Sequence, residues 1–258
     1  MGCNNKISPL TIQGLTVAYN NKPAIWELDY EAPVGGLVAV LGPNGAGKST
    51  MIKSILGLVP KLNGEIRVFG ERYNKRRGNI AYVPQRSSVD WDFPISAGEV
   101  VAMGLYRKIG WARRVREIHR ETALHYLSRV KMRELANRQI GQLSGGQQQR
   151  VFLARALAQE ANLYLMDEPF SGVDAATEQT IIDVMREVTA NGATVICVHH
   201  DLHTVSNYFN YALILNIRAI ASGTIDEVLT KQNLEAAYGE GFANAKTTFE
   251  MKPPTNDE

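Results

Sequence analysis

Leu37-Val-Ala-Val-Leu41 runs straight into Gly42-Pro-Asn-Gly-Ala-Gly-Lys-Ser-Thr50, and a helical pattern from Met51 to Leu58 follows at once. The first five residues are wholly apolar, as a strand buried on both faces requires. The glycines that follow allow backbone N–H groups to turn inward around an anion, and the positive end of the next helix adds to that field. In this context Lys48 is placed to reach the terminal phosphates of a nucleotide, and the Ser49 hydroxyl to ligate Mg²⁺. Strand, glycine loop and helix in that order are what a phosphate-binding P-loop needs; a plain glycine-rich turn leaves the Lys-Ser pair unexplained.

Leu163-Tyr-Leu-Met-Asp-Glu168 is a second apolar strand, and it ends in two acids. Burying two carboxylates together is unfavourable unless a metal or a proton offsets them. Beside a P-loop the offset is phosphate-bound Mg²⁺, with Asp167 holding the metal and Glu168 orienting and deprotonating the attacking water. A third apolar run, Ala193 to Val198, follows a helical pattern from Ala175 to Ala190. Strand, helix, strand with apolar strands predicts a parallel sheet covered on both faces. Upstream, Leu10–Tyr19, Ala24–Tyr30 and Gly64–Phe69 read as strands separated by Asn20-Asn21, Pro33 and Gly35-Gly36. From about Ala97 to Ala158 the pattern is helical, with Ala123, Leu124, Leu127 and Val130 on one stripe. Arg113, Arg114, Arg116 and Arg120 lie largely off that stripe and read as a solvated face. The tail from Lys252 is polar and reads as disordered.

Composition adds exclusions. The chain has 258 residues, 45% of them hydrophobic, enough for a substantial core. Its 28 basic against 26 acidic residues leave a charge of +2, too balanced for nucleic acid or an anionic membrane as the main partner. No apolar stretch approaches the roughly 18 residues of a membrane span, so any membrane role requires a partner. Met1-Gly-Cys-Asn-Asn-Lys6 lacks the apolar core of a signal, and Lys6 stands where a myristoylation motif has Ser or Thr. Cys3 and Cys197 sit in unlike settings, which suggests a reducing compartment and no disulfide framework.

Leu143-Ser-Gly-Gly-Gln147, followed by Gln148-Gln-Arg150 and a helical run to Ala158, places Ser144 at an N-cap with Gly145 and Gly146 in the first turn. Such a helix start is an anion site without its own lysine. With this motif the chain resembles the ATP-binding cassette family, in which the LSGGQ signature of one subunit closes over ATP on the P-loop of the other. The resemblance runs from about Gly14 to Gly239. It implies a fold of α/β class, a P-loop NTPase core with an antiparallel β subdomain and a helical subdomain insertion. Residues 1–86 and 159–225 would form the core with the β subdomain, 87–158 the helical subdomain, and 226–258 a C-terminal extension.

The resemblance also implies site roles. Tyr19 matches the aromatic that stacks on adenine; Gly42, Pro43, Asn44, Gly45, Ala46, Gly47, Lys48, Ser49 and Thr50 cradle the phosphates of ATP. Ser144, Gly145, Gly146 and Gln147 contact the partner's ATP, and Asp174 in Ser171-Gly-Val-Asp174 belongs to the D-loop. Gln85 in Tyr82-Val-Pro-Gln85 senses Mg²⁺ and the attacking water, and His200 contacts the γ-phosphate. Catalysis then rests on Glu168, His200, Gln85 and Lys48, and the metal on Ser49, Gln85 and Asp167. The Asn-Lys-x-Asp tetrad of guanine recognition is absent, since Asn21-Lys22 is followed by Pro-Ala. His199-His-Asp-Leu-His203 is a histidine cluster, but it follows the strand where the family has its γ-phosphate sensor, and no cysteine or second carboxylate group accompanies it. His199 and His203 are therefore read as neighbours of the sensor and not as metal ligands.

Gln85 to Pro94, with Val101-Ala-Met-Gly-Leu-Tyr106, resembles the ATPase subunits of manganese, zinc and chelated-iron importers, manganese first and zinc next. This implies a second copy of the chain as partner, a membrane permease met through Val89, Trp91 and Phe93, a substrate-binding protein beyond it, and a peripheral place on the cytoplasmic membrane face. In an extended segment, those three apolar side chains would alternate with Asp90 and Asp92. The competing reading, a soluble cassette acting in translation or DNA repair, usually carries two cassettes or a long coiled coil. One P-loop, one signature and no heptad tract disfavour it.

Overall fold

The computed structural model describes residues 7–20, 22–72, 79–110 and 113–239. The Met1–Lys6 start, Asn21, Trp111 and the tail from Lys252 lie outside the described residues.

The first sheet is antiparallel. β1 (Leu10–Tyr19) pairs with β2 (Lys22–Glu31) on one side and with β4 (Asn63–Val68) on the other, and β5 (Glu71–Arg72) closes the order β2-β1-β4-β5. Leu10 and Ile12 are buried, and so are Leu15 and Val17, so the alternation slips by one residue at Gly14. A bulge there, with Gly14 at φ 56°, keeps both pairs on the core face.

The second sheet has six strands in the order β10-β9-β3-β8-β7-β6. β3 (Leu37–Leu41), β6 (Ile80–Val83), β7 (Leu163–Asp167), β8 (Thr194–Val198) and β9 (Tyr211–Asn216) are parallel, and β10 (Arg218–Thr224) returns antiparallel to β9. Every residue of β3, β7 and β8 is buried, as their unbroken apolar runs require. The two faces serve different cores. Val38, Val40, Ile196 and Val198 pack with Leu15, Ile25 and the first helix, α1 (Lys48–Ile55), towards the antiparallel sheet. Leu37, Ala39, Leu41, Val195 and Cys197 pack towards the remaining helices. These are α2 (Ala97–Gly104), α3 (Tyr106–Ile109), α4 (Glu117–Arg129), α5 (Gly145–Ala158), α6 (Ala175–Ala190), α7 (Leu202–Tyr208), α8 (Ile225–Val228) and α9 (Lys231–Tyr238). Helices α2 to α5 all fall between β6 and β7.

Element boundaries differ from the sequence reading by one or two residues at β2, β4, β7 and β8. Two differences are larger. Arg113, Arg114 and Arg116 are exposed as expected, but they precede α4 and do not lie on its face. The hairpin β9–β10 turns at Ile217, a non-glycine at φ 62°, and its second strand, with Gly223 and few large side chains, carries little strand signal. Among the described residues, no helix is long and apolar enough to cross a membrane.

Candidate functional site

The parallel strands point their carboxyl ends to one rim, where open α/β sheets place their ligands. β3 delivers the glycine loop there, β7 delivers Asp167 and Glu168, β8 delivers His199 and His200, and β6 delivers Gln85. Four separated stretches of chain thus arrive at one place.

The glycine loop is held by backbone contacts that leave no room for side chains at two positions. A Cβ on Gly42 would stand 2.0 Å from the Leu215 carbonyl oxygen, and one on Gly47 would stand 2.3 Å from that of Ala24. Gly42, Gly45 and Gly47 have φ of 147°, 83° and 96°. Ile217 N–H donates to the Ala46 carbonyl at 3.0 Å, tying the loop to the β9–β10 turn. α1 begins at Lys48 behind Gly47, with no side chain capping it, so its first-turn amides are left to a ligand. Asn44 and Gly45 are exposed at the loop tip, while Ser49 and Thr50 sit half-buried in that first turn.

Lys48 is 7% exposed and folds back on its own loop, with Nζ donating to the Gly42 carbonyl at 2.8 Å and to that of Pro43 at 2.9 Å. Burial lowers its pKa, against the pull of Glu168 and Asp167. A cation held by two neutral carbonyls can still exchange them for phosphate oxygens. Ser49 Oγ donates to Asp167 Oδ1 at 2.8 Å. Asp167 is fully buried, and its other oxygen, Oδ2, has no hydrogen-bond partner. Burial pushes its carboxyl pKa up; the Ser49 hydrogen bond opposes this and the Glu168 charge adds to it. A buried carboxylate with an unpartnered oxygen beside a serine hydroxyl is a hard-oxygen donor set that fits a divalent cation. Glu168 follows at φ 50°, a left-handed conformation that turns the chain sharply off the strand and lets its carboxylate accept from Gln85 Nε2 at 2.9 Å.

His200 is exposed at the end of β8, whereas His199 turns into the core. His199 packs edge-on against Phe170 at 5.2 Å and near Phe209 at 5.3 Å. Thr204 Oγ donates to the Asp201 carbonyl at 3.1 Å, so it accepts from His199 Nε2 at 2.8 Å, and Nδ1 stays buried and unpartnered. Burial lowers the His199 pKa to about 4 and keeps the ring neutral. Among the described residues no three His, Cys, Asp or Glu side chains stand together as a metal site.

Two predicted elements stand apart from this centre. Ser144 caps α5, its Oγ accepting from Gln147 N–H at 3.4 Å while Gln147 Oε1 accepts from Ser144 N–H at 2.9 Å. Among the described residues no hydrogen bond joins residues 144–147 to the glycine loop. Thr177 packs under this helix start, since a Cβ on Gly146 would stand 2.9 Å from Thr177 Oγ. Asp174 caps α6 by accepting from Thr177 N–H at 2.8 Å, and its bonds to the Thr177 hydroxyl and amide hold its carboxyl below the usual range. Tyr19 is 46% exposed at the end of β1, on the hairpin whose second strand presses Ala24 against Gly47.

The segment after Gln85 is not extended. Arg86–Ser88 form a short 3₁₀ turn, and Asp90 Oδ1 accepts from Asp92 N–H at 3.1 Å, which breaks the expected alternation. Val89 and Trp91 are partly buried against the helical core, Trp91 meeting Phe152 edge-on at 5.1 Å, while Phe93 is 58% exposed. Together with Met103, Ile140 and Arg155 they line a groove of about 210 Å³. Sequence reading missed the bond from Arg86 Nε to Gln148 Oε1, 3.1 Å long and spanning 62 positions of sequence.

The ABC transporter family profile matches residues 26–171, a stretch that takes in the glycine loop, the signature and the acidic strand end. The chain belongs to the ABC transporter family. As such it is an ATP-binding, ATP-hydrolysing subunit. It is 52% identical over 231 residues to the manganese transport system ATP-binding protein MntB of Bacillus subtilis, covering 90% of this chain and 92% of that one. It is 50% identical over 228 residues to the zinc transport system ATP-binding protein TroB of Treponema pallidum, covering 88% and 86%. Among solved structures, a dimeric ATP-binding cassette in a post-hydrolysis state, bound to ADP and Pi, superposes with a TM-score of 0.74 at 27% identity, covering 84% of this chain and 98% of that one. The ABC fold therefore extends along most of the chain, beyond the stretch that the family profile matches.

Proposed function

We propose that this ABC subunit drives import of a divalent transition metal, manganese first and zinc as the alternative, as a homodimer seated on a separate permease at the cytoplasmic face of the membrane. The observation that supports the ATPase centre is the pair of contacts Ser49–Asp167 and Gln85–Glu168, which bring three distant motifs together. The likeness to relatives named for manganese and zinc transport supports the cargo.

In this reading the triphosphate lies on the amides from Gly42 to Thr50, with Tyr19 stacked on the adenine. Lys48 exchanges its loop carbonyls for phosphate oxygens. Ser49, Asp167 and Gln85 hold Mg²⁺, which neutralises phosphate charge when bound. Gln85 orients the attacking water, Glu168 accepts its proton, and His200 donates to the γ-phosphate. Ser144, Gly145, Gly146 and Gln147 bring a helix N-terminus to the partner's γ-phosphate, with Asp174 and its loop beside them. The substrate-binding protein and permease select the metal, so none of these residues touches it.

The permease would enter the groove at Val89, Trp91 and Phe93. Phe93 is the exposed anchor there and Trp91 part of the wall. Uptake of manganese, zinc and iron by cells deleted for this chain tests the cargo. Loss of manganese uptake, restored by the parent chain and not by a Glu168→Gln variant, is expected; unchanged uptake of all three metals refutes the importer reading.

A further inference from the structure

The loop leaving β6 makes contacts in two directions from adjacent residues. Gln85 Nε2 donates to Glu168 Oε2 at 2.9 Å, and Arg86 Nε donates to Gln148 Oε1 at 3.1 Å. Gln148 is buried, and its amide nitrogen donates to the Ile140 carbonyl at 3.1 Å, so its oxygen is held facing Arg86. The guanidinium also lies against the first turn of α5, where a Cβ on Gly145 would stand 3.0 Å from Arg86 Cζ. The Arg86 carbonyl in turn accepts from Trp91 Nε1 at 2.9 Å. One residue therefore has its backbone fixed by the wall of the groove and its side chain fixed to the signature helix, one peptide away from Gln85.

We propose that Arg86, acting through Gln148, is a positioning residue that locks the Ser144–Gly146 helix start to the loop carrying Gln85. The nucleotide state of one protomer thereby sets the pose of the signature offered to the other. The proposal rests on the shared-site reading above. A planar guanidinium bonded to a buried amide that is itself bonded at its other end has little slack. A shift of Gln85 on nucleotide binding then either carries α5 with it or breaks the charge-assisted bond between the exposed Arg86 and the buried Gln148. An exposed arginine without a buried acceptor would carry no such constraint.

The test uses the full chain in a Glu168→Gln background, where ATP is bound and not turned over. Arg86→Met keeps the aliphatic stem and removes the donor. ATP affinity, measured at protein concentrations too dilute to dimerise, should stay within about twofold, while the dissociation constant of the ATP-bound dimer should rise about tenfold. Gln148→Met loses the Arg86 bond and the bond to the Ile140 carbonyl, so it should weaken the dimer at least as much, and adding Arg86→Met to it should weaken the dimer no further. Unchanged dimerisation of Arg86→Met overturns the proposal. So do additive losses, which would put Arg86 on the partner's phosphates directly. A melting temperature that falls in step with the dimer in both Arg86→Met and Arg86→Gln assigns the residue to fold stability alone and also overturns it. If Glu168→Gln itself fails to dimerise with ATP, the shared-site reading falls and this proposal falls with it.

Discussion

Trp91 and Phe93 lie two residues apart in one loop, yet they should respond oppositely to truncation. Trp91→Ala removes an edge-to-face contact with Phe152 at 5.1 Å and a hydrogen bond from Nε1 to the Arg86 carbonyl at 2.9 Å. An aromatic pair of this kind contributes about 1 kcal/mol beyond its burial. The hydrogen bond adds about 1 kcal/mol, and the lost apolar area of a partly buried ring about 1–2 kcal/mol. The sum is a destabilisation of about 3–4 kcal/mol, well within the roughly 5–15 kcal/mol of a stable domain. Phe93 is 58% exposed, so Phe93→Ala should change stability by no more than about 0.5 kcal/mol. If Phe93 anchors the permease, its truncation should instead sharply reduce co-purification with it. Urea denaturation of both variants, paired with permease pull-down, reads both effects. A Trp91→Ala variant as stable as the parent would refute the packing argument, and a Phe93→Ala variant that retains full permease binding and uptake would refute the anchor.

Three further outcomes follow from the nucleotide site. Gly47→Ala forces a Cβ to within 2.3 Å of the Ala24 carbonyl at a φ of 96°, so it should cost about 2–3 kcal/mol and abolish ATP binding, read by thermal melting and nucleotide titration. Lys48→Ala should weaken ATP binding at least about tenfold, because the phosphates lose their main side-chain cation; an unchanged titration refutes the P-loop assignment. Asp167→Asn should raise the melting temperature of the nucleotide-free protein while removing Mg²⁺-dependent turnover. Burial raises the Asp167 pKa, so the folded state binds its proton more tightly than the unfolded chain does, and the cost of the buried carboxylate builds as pH rises from the unfolded value and is complete above the raised folded one. The gain from asparagine should grow as pH rises above about 3.9, level off beyond the raised folded value, and vanish below about 3.9, where both states are protonated.

Contiguous motifs were legible because their chemistry is local. The glycine loop, the apolar strand ending in Asp167 and Glu168, and the capped helix at Ser144 each carry their pattern within ten residues, and the parallel sheet follows from the apolar runs around them. What the sequence could not disclose depends on neighbours far along the chain. Arg86 and Gln148 are each unremarkable polar residues until the fold places them 3.1 Å apart. His199 reads only as a neighbour of His200, yet one peptide step sends it into an aromatic pocket and leaves His200 at the rim. The alternation from Val89 to Phe93 suggested an extended strip with three like-facing apolar groups. A turn closed by Asp90 instead turns Trp91 inward and leaves Phe93 out. The β9–β10 turn, with an isoleucine at φ 62°, had no turn-residue signal to find, although it braces the glycine loop through Ala46.

In the proposed dimer, two chains share each ATP between Lys48 of one and Ser144 of the other, with Glu168 as the base. Light scattering of the purified Glu168→Gln variant tests it most directly, because the amide preserves the shape of the site and cannot take the proton from water. With ATP and Mg²⁺ a shared site gives a mass twice that of the 28.5 kDa chain, reverting to the single-chain mass when nucleotide is removed. A variant that binds ATP tightly and keeps the mass of one chain at every protein concentration would contradict it.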